Sequence, residues 1–115
     1  MGNRTLRVTE GDTASAVGSG DVPVLATPRV LALAEAATVA ALAGALDAGT
    51  TSVGTRVELD HLAASPVGAE VEATAELVEV SGRRLTFEVR VIQDGRDVAR
   101  GRIVRAVVDR TRFPT

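Results

Sequence analysis

The segment VLATPRVLALAEAATVAAL, running from Val24 to Leu42, constrains this chain more than any other. Alanine and leucine dominate it, and both favour helix. Thr27 reads as the N-cap and Pro28 as the first helical residue, where a ring with fixed φ and no N–H costs nothing. The helix is expected to continue to Leu46, with Gly49 as its stop. Val30, Leu31, Leu33, Ala34, Ala37, Val39, Leu42 and Leu46 cover most of its circumference, so other elements are expected to enclose it. In a chain of 115 residues the remaining sequence has to supply that enclosure, as one domain spanning 1–115.

The remaining sequence is mostly strand. TSVGTRVELDHL alternates, with Val53, Thr55, Val57, Leu59 and His61 on one face and Arg56, Glu58 and Asp60 on the other. AEVEATAELVEV puts Val71, Ala73, Ala75 and Leu77 inward, and its phase slips at Leu77–Val78, the mark of a bulge. SGRR turns the chain, and LTFEVRV places Leu85, Phe87, Val89 and Val91 on one face. QDGRD signals a hairpin, and VARGRIVRAVV is a last, less cleanly patterned strand. Before the helix, RTLRV reads as a further strand, and the Gly-, Ser- and Asp-rich stretch after it as loop. One apolar helix followed by a meander predicts an α+β fold, a curved antiparallel sheet wrapped around one long central helix.

Composition narrows the chemistry. There is no cysteine, which excludes disulfides, thiolate metal sites and a cysteine nucleophile. With a single histidine as well, a zinc site is not expected. A net charge of -2 argues against nucleic acid as a partner. No apolar run reaches the length of a membrane span and no secretory signal opens the chain, so a cytoplasmic protein is the expectation. Phe87 and Phe113 are the only aromatics, so Val, Leu, Ile and Ala must build the core.

Three residues stand out against that background. His61 is in phase with Val57 and Leu59, facing the helix, where it is either a half-buried structural histidine or a base. Glu35 is a carboxylate in an apolar helix, and such a group needs a partner unless its face reaches solvent or a subunit boundary. Thr27 precedes Glu35 by eight residues, about 12 Å along a helix. An imidazole bonded at both nitrogens fits between the two once the backward lean of helical side chains is counted. A Thr–His–Glu relay is thus one reading. Independent roles, a cap among them, are the other.

The segments LATPRVLALAEAA, SVGTRVELDHLAASPVG and EVEATAELVEVSGRRLTFEVRV resemble the hotdog-fold acyl-CoA thioesterases related to the fluoroacetyl-CoA thioesterase, over roughly residues 20 to 113. The resemblance implies a hotdog fold and a catalytic set falling on Thr27, Glu35 and His61. It also implies that the backbone of Gly54, in SVGT, lines the acyl site. The family's gating aromatic would fall on Asp21, so the machinery resembles the family and its fluoroacetyl selectivity does not. Hydrolysis of a short acyl-CoA thioester is the expected function, with His61 as base, Glu35 orienting it, and Thr27 as nucleophile or as the group that positions water. Gly54 and the amides at the helix N-terminus are expected to polarise the carbonyl. No cofactor is implied beyond the CoA of the substrate. Arg83, Arg84, Arg96 and Arg100, on or near the hairpins, are candidates for its phosphates. An acyl-thioester hydratase or dehydratase, and a non-catalytic CoA- or acyl-binding module, are the rival readings. Exposed sheet edges and a small core further predict a homodimer joined edge to edge.

Overall fold

The computed structural model describes residues 1–112; Phe113 lies outside them. Strand β1 (Gly2–Arg7) leads through a 3-10 turn at Glu10–Asp12 and a single helical turn, α1 (Ala14–Val17), to the long helix α2 (Thr27–Ala41). Strands β2 (Thr50–His61), β3 (Glu70–Ser81), β4 (Arg84–Gln93) and β5 (Arg96–Asp109) follow. All pairings are antiparallel, in one sheet of order β1-β3-β4-β5-β2. The chain leaving α2 therefore crosses to the edge beside β5, while β1 takes the edge beside β3.

The sheet curls around α2. Val30, Ala34, Ala37 and Thr38 recur at three- and four-residue spacing and are buried against Val71, Ala73, Phe87, Val89, Val91, Ala99 and Ile103. Removing these side chains from water is the main force holding helix to sheet, about 1.5–3 kcal/mol for each large one fully buried. The contacts are close because the residues are small. A Cβ on Gly2 would strike the backbone of Ala37 and Ala41, so β1 lies directly against the helix. A Cβ on Gly101 would strike the Glu58 carbonyl, so the absent side chain lets β2 fold over β5 at this point.

Several expectations are corrected. Ala26 is the N-cap and Thr27 the first helical residue, which frees the threonine hydroxyl from capping. The helix stops at Ala41, well short of Leu46. Leu42 caps it and the chain turns through Gly44, whose φ of 74° suits a residue without Cβ. Nor is the helix enclosed all round: Ala32 and Val39 are exposed, and Leu31 and Leu33 are half-buried.

Bulges settle the strand phases. The slip expected at Leu77–Val78 is present, between Leu77 and Glu79, and it leaves Leu77 at 40% exposure. A second bulge, not anticipated, lies in β2. Gly54 pairs with Arg105, Arg56 pairs with Val104, and Thr55 is the extra residue between them. Thr55 Oγ1 donates to the Val104 carbonyl at 3.2 Å. Beyond the bulge Val57 stands opposite buried Ile103, and before it Gly54 stands opposite buried Arg105. Val53 and Thr55 therefore do not share the face of Val57, Leu59 and His61, because the extra residue exchanges the two faces.

Candidate active site

The start of α2 and the end of β2 meet. Asp12 holds the helix end in place. Its carboxylate is buried and accepts from Thr9 N at 2.8 Å and Thr9 Oγ1 at 2.9 Å. It also accepts from Arg29 Nε at 3.0 Å and Nη2 at 2.6 Å, and its carbonyl accepts from Ala26 N at 2.9 Å. The Thr9 backbone donor, with Arg29 and the Thr9 hydroxyl, holds the Asp12 carboxyl below the usual aspartate range against the opposing effect of burial.

Thr27, on the first turn so anchored, lies with its Oγ1 2.8 Å from His61 Nδ1. The direction of this bond follows the tautomer: with Nδ1 unprotonated the threonine hydroxyl donates and the ring proton sits on Nε2. Nε2 is buried and has no hydrogen-bond partner among the described residues. Thr27 and His61 open on a cavity of about 320 Å³, walled by Ala14, Ser19, Gly20, Val22, Leu62 and Ala64 among others. Asp21 is exposed and does not line it. Small and aliphatic side chains form most of the wall, so the space beside Thr27 is suited to an acyl group.

The helix end offers the cavity few donors. Pro28 has no N–H, and the amides of Arg29 and Val30 both donate to the Ala26 carbonyl at 3.0 Å. The amides of Arg29 and Val30 are therefore committed within the helix, and the helix end also acts on the cavity through its dipole.

Glu35 is elsewhere. Its Oε2 lies 3.5 Å from Arg105 Nη1 and faces Gly54, where a Cβ would come to 2.5 Å of the same oxygen. Within one chain the carboxylate and the Thr27–His61 pair do not meet, so the three residues form no relay on a single helix side. Arg105 is the residue sequence reasoning missed. Its side chain is only 8% exposed, and burial lowers its pKa from the ordinary arginine value while Glu35 opposes that shift. The signal for it was present: Arg105 is in phase with Ala99 and Ile103, inward positions of a strand where a charge is expensive.

The four candidate phosphate-binding arginines do not cluster within a chain. Arg83 and Arg84 are at the β3–β4 turn, and Arg96 is at the β4–β5 turn. The ten residues of β4 separate these turns, about 33 Å at strand rise. Arg83 reaches the Val107 carbonyl at 3.4 Å, and Arg100 lies 3.9 Å from Asp97. Arg96 is the one near the Thr27–His61 cavity: it lines a smaller cavity, of about 170 Å³, whose wall shares Ala63 and Ala64 with the first.

Residues 8–111 match the family model of the fluoroacetyl-CoA-specific thioesterase. Among characterised proteins, the fluoroacetyl-CoA thioesterase of Streptantibioticus cattleyicolor is 39% identical over 90 residues, covering 78% of this chain. That stretch spans 65% of the relative's own length. A solved structure of the fluoroacetyl-CoA thioesterase superposes with a TM-score of 0.89 at 32% identity, covering 96% of this chain and 87% of that one. A thioesterase superfamily member from Thermus thermophilus gives 0.89 at 25% identity over 96% of this chain and 82% of that one. A hot-dog-like protein from Thermanaerovibrio acidaminovorans gives 0.84 at 26% identity, over 93% and 79%. The curled sheet around one helix is thus the hotdog fold.

Proposed function

The chain belongs to the fluoroacetyl-CoA-specific thioesterase family, and we propose that it hydrolyses a short acyl-CoA thioester with Thr27, His61 and Glu35. The observation that carries the reading is the 2.8 Å bond from the Thr27 hydroxyl to His61 Nδ1 beside an aliphatic cavity. With the ring proton on Nε2, the hydroxyl donates to the imidazole, the arrangement needed to transfer its proton as it attacks a carbonyl. His61 takes that proton, or one from a water held by Thr27. The new C–O bond forms, the C–S bond breaks, and the CoA thiolate receives the proton from His61. If Thr27 carries the acyl group, water repeats the sequence.

Glu35 enters through a second copy of the chain. The edge strand β2 is exposed over Gly54–Glu58, and it carries Gly54 and Glu35's neighbourhood toward one end and His61 at the other. Two such edges paired antiparallel about a two-fold axis bring the His61 end of one copy toward the Gly54 end of the other. The imidazole nitrogen without a partner and the carboxylate of the second copy then answer one another. A homodimer is therefore part of the reading, and Arg96 is the first of the four arginines to receive a CoA phosphate.

The test is release of free thiol from a panel of acyl-CoA thioesters that includes acetyl-CoA and fluoroacetyl-CoA. Hydrolysis is expected, with no strong preference for the fluorinated substrate, since Asp21 supplies no aromatic gate. Hydration of an enoyl thioester without hydrolysis would replace the reading with a hydratase. Binding with neither reaction would make the chain a binding module.

A further inference from the structure

We propose that Arg105 is a positioning residue of this site, a buried guanidinium that clamps the Glu35 carboxylate against the backbone of Gly54. The inference rests on the hydrolytic reading above for its consequence but not for its geometry. Arg105 Nε donates to Ser52 Oγ at 2.9 Å and Nη2 to the Ser52 carbonyl at 3.0 Å, so two bonds to one residue fix the plane of the group. Nη1 is shared between Thr38 Oγ1 at 3.4 Å and Glu35 Oε2 at 3.5 Å. Thr38 is itself pinned, donating to the Glu35 carbonyl at 2.6 Å. Glu35 is thus held at both ends of its residue, by Thr38 at the backbone and by Arg105 at the carboxylate.

The cost of this arrangement points to a use for it. Arg105 replaces a core side chain on the inward face of β5, and desolvation disfavours its charge. Its contact with Glu35 is long, so the pair is poorly optimised as a stabilising bridge. It is better suited to keeping the carboxylate in one place while leaving it 36% exposed, free to accept from a further donor. Gly54 completes the clamp. Its φ is not in the left-handed region, so the glycine answers to space alone: Arg105 stands opposite it in the β2–β5 register and Glu35 fills the volume of the missing Cβ.

The test is a double-mutant cycle of Arg105→Met and Glu35→Gln in the full chain, assayed on acetyl-CoA and longer acyl-CoA thioesters. Arg105→Met is expected to lower kcat by about tenfold or more with KM within about twofold. Arg105→Lys is expected to recover part of the rate, because an ammonium reaches Glu35 but not both Ser52 oxygens. In the Glu35→Gln background, Arg105→Met is expected to change kcat by less than about twofold, since the group it positions is gone. Equal losses in both backgrounds, or a loss confined to KM, would make Arg105 a packing or binding residue and overturn the proposal. Should Arg105→Met lose its cooperative thermal transition, Arg105→Lys and Thr38→Val take its place in the cycle. If the unmodified chain hydrolyses no thioester, the hydrolytic reading fails separately, and the urea midpoints of the same four proteins decide the clamp: non-additive midpoints sustain it and additive ones overturn it.

Discussion

Thr27 and His61 are 34 residues apart in sequence and 2.8 Å apart in space. The bond joins the first residue of the long helix α2 to the last residue of β2, the strand that follows it. Replacing His61 with Ala is expected to reduce thioester hydrolysis by about a hundredfold or more, the usual loss when a general base is removed. Thr27→Ser should keep a measurable part of the rate and Thr27→Ala should not. Because Ala26, not Thr27, caps the helix, neither change should cost the stability of a lost cap, about 1 kcal/mol. Thermal unfolding checks that half of the prediction. Full turnover by Thr27→Ala would transfer the chemistry to a water activated by His61.

Assembly can be tested through the same residues. Light scattering should give twice 11.8 kDa, and a monomer at working concentration would refute the shared site. His61→Ala and Glu35→Gln should each keep only a small, measurable residual rate alone. Mixed and reassembled in equal amounts, they should recover about a quarter of the unmodified rate: half the dimers are mixed, and each mixed dimer has one intact site of two. No recovery, with mixed dimers demonstrably present, would place His61 and Glu35 in the same chain's site.

Gly54→Ala should leave the fold intact and damage the site. The added methyl would come to 2.5 Å of Glu35 Oε2, closer than contact allows, and the carboxylate has to move. A loss of about tenfold or more in kcat is expected, in line with the sensitivity of catalysis to small displacements. The thermal midpoint should change little, since the group that has to move is the partly exposed Glu35 carboxylate and not the packed core. Unchanged kcat would separate Glu35 from the reaction.

Asp12 supplies a pH dependence of stability. Its folded pKa lies below the ordinary aspartate value, so the stability it contributes is fully present above the ordinary range, about pH 4. That contribution is lost as pH falls through the depressed folded value. The urea midpoint should therefore drop on acidification, and Asp12→Asn should start lower at neutral pH and fall less steeply. The contribution is expected to be about 1 kcal/mol, small because Arg29 is half-exposed and solvent screens it. Parallel curves for the two proteins would mean that Asp12 does not carry the effect.

Arg96→Ala is expected to weaken binding of free CoA by about tenfold, the loss of one charge-assisted hydrogen bond. Calorimetry measures it directly. An unchanged affinity would remove Arg96 from the phosphate site and return the question to Arg83, Arg84 and Arg100.

Local pattern was enough to read the helix, the hairpins and the buried row Leu85, Phe87, Val89 and Val91 from sequence, because helix and strand periods depend on neighbours a few residues away. The bulge at Leu77 was legible for the same reason, as a break in alternation. Candidate residues could also be named: a lone histidine in an apolar phase and a carboxylate in an apolar helix are anomalies of the sequence itself, whereas the glycine in SVGT was singled out only by family resemblance. What local pattern could not supply was how they are arranged. Gly54 and His61 are an odd number of positions apart, so a regular strand would turn them to opposite faces. The bulge at Thr55 turns both toward the helix, and its position is fixed by the register with β5, fifty residues further on. Arg105 escaped notice because its role depends on Ser52, Thr38 and Glu35, which come together only when β2, β5 and α2 pack. Helix periodicity allowed Glu35 to lie beside His61, but the path of β2 across the sheet decided otherwise: it brings His61 to Thr27 at one place and Gly54 to Glu35 at another. Element type is a property of a few adjacent residues, whereas the meeting of side chains depends on long-range pairing, and that was decided only by the tertiary structure.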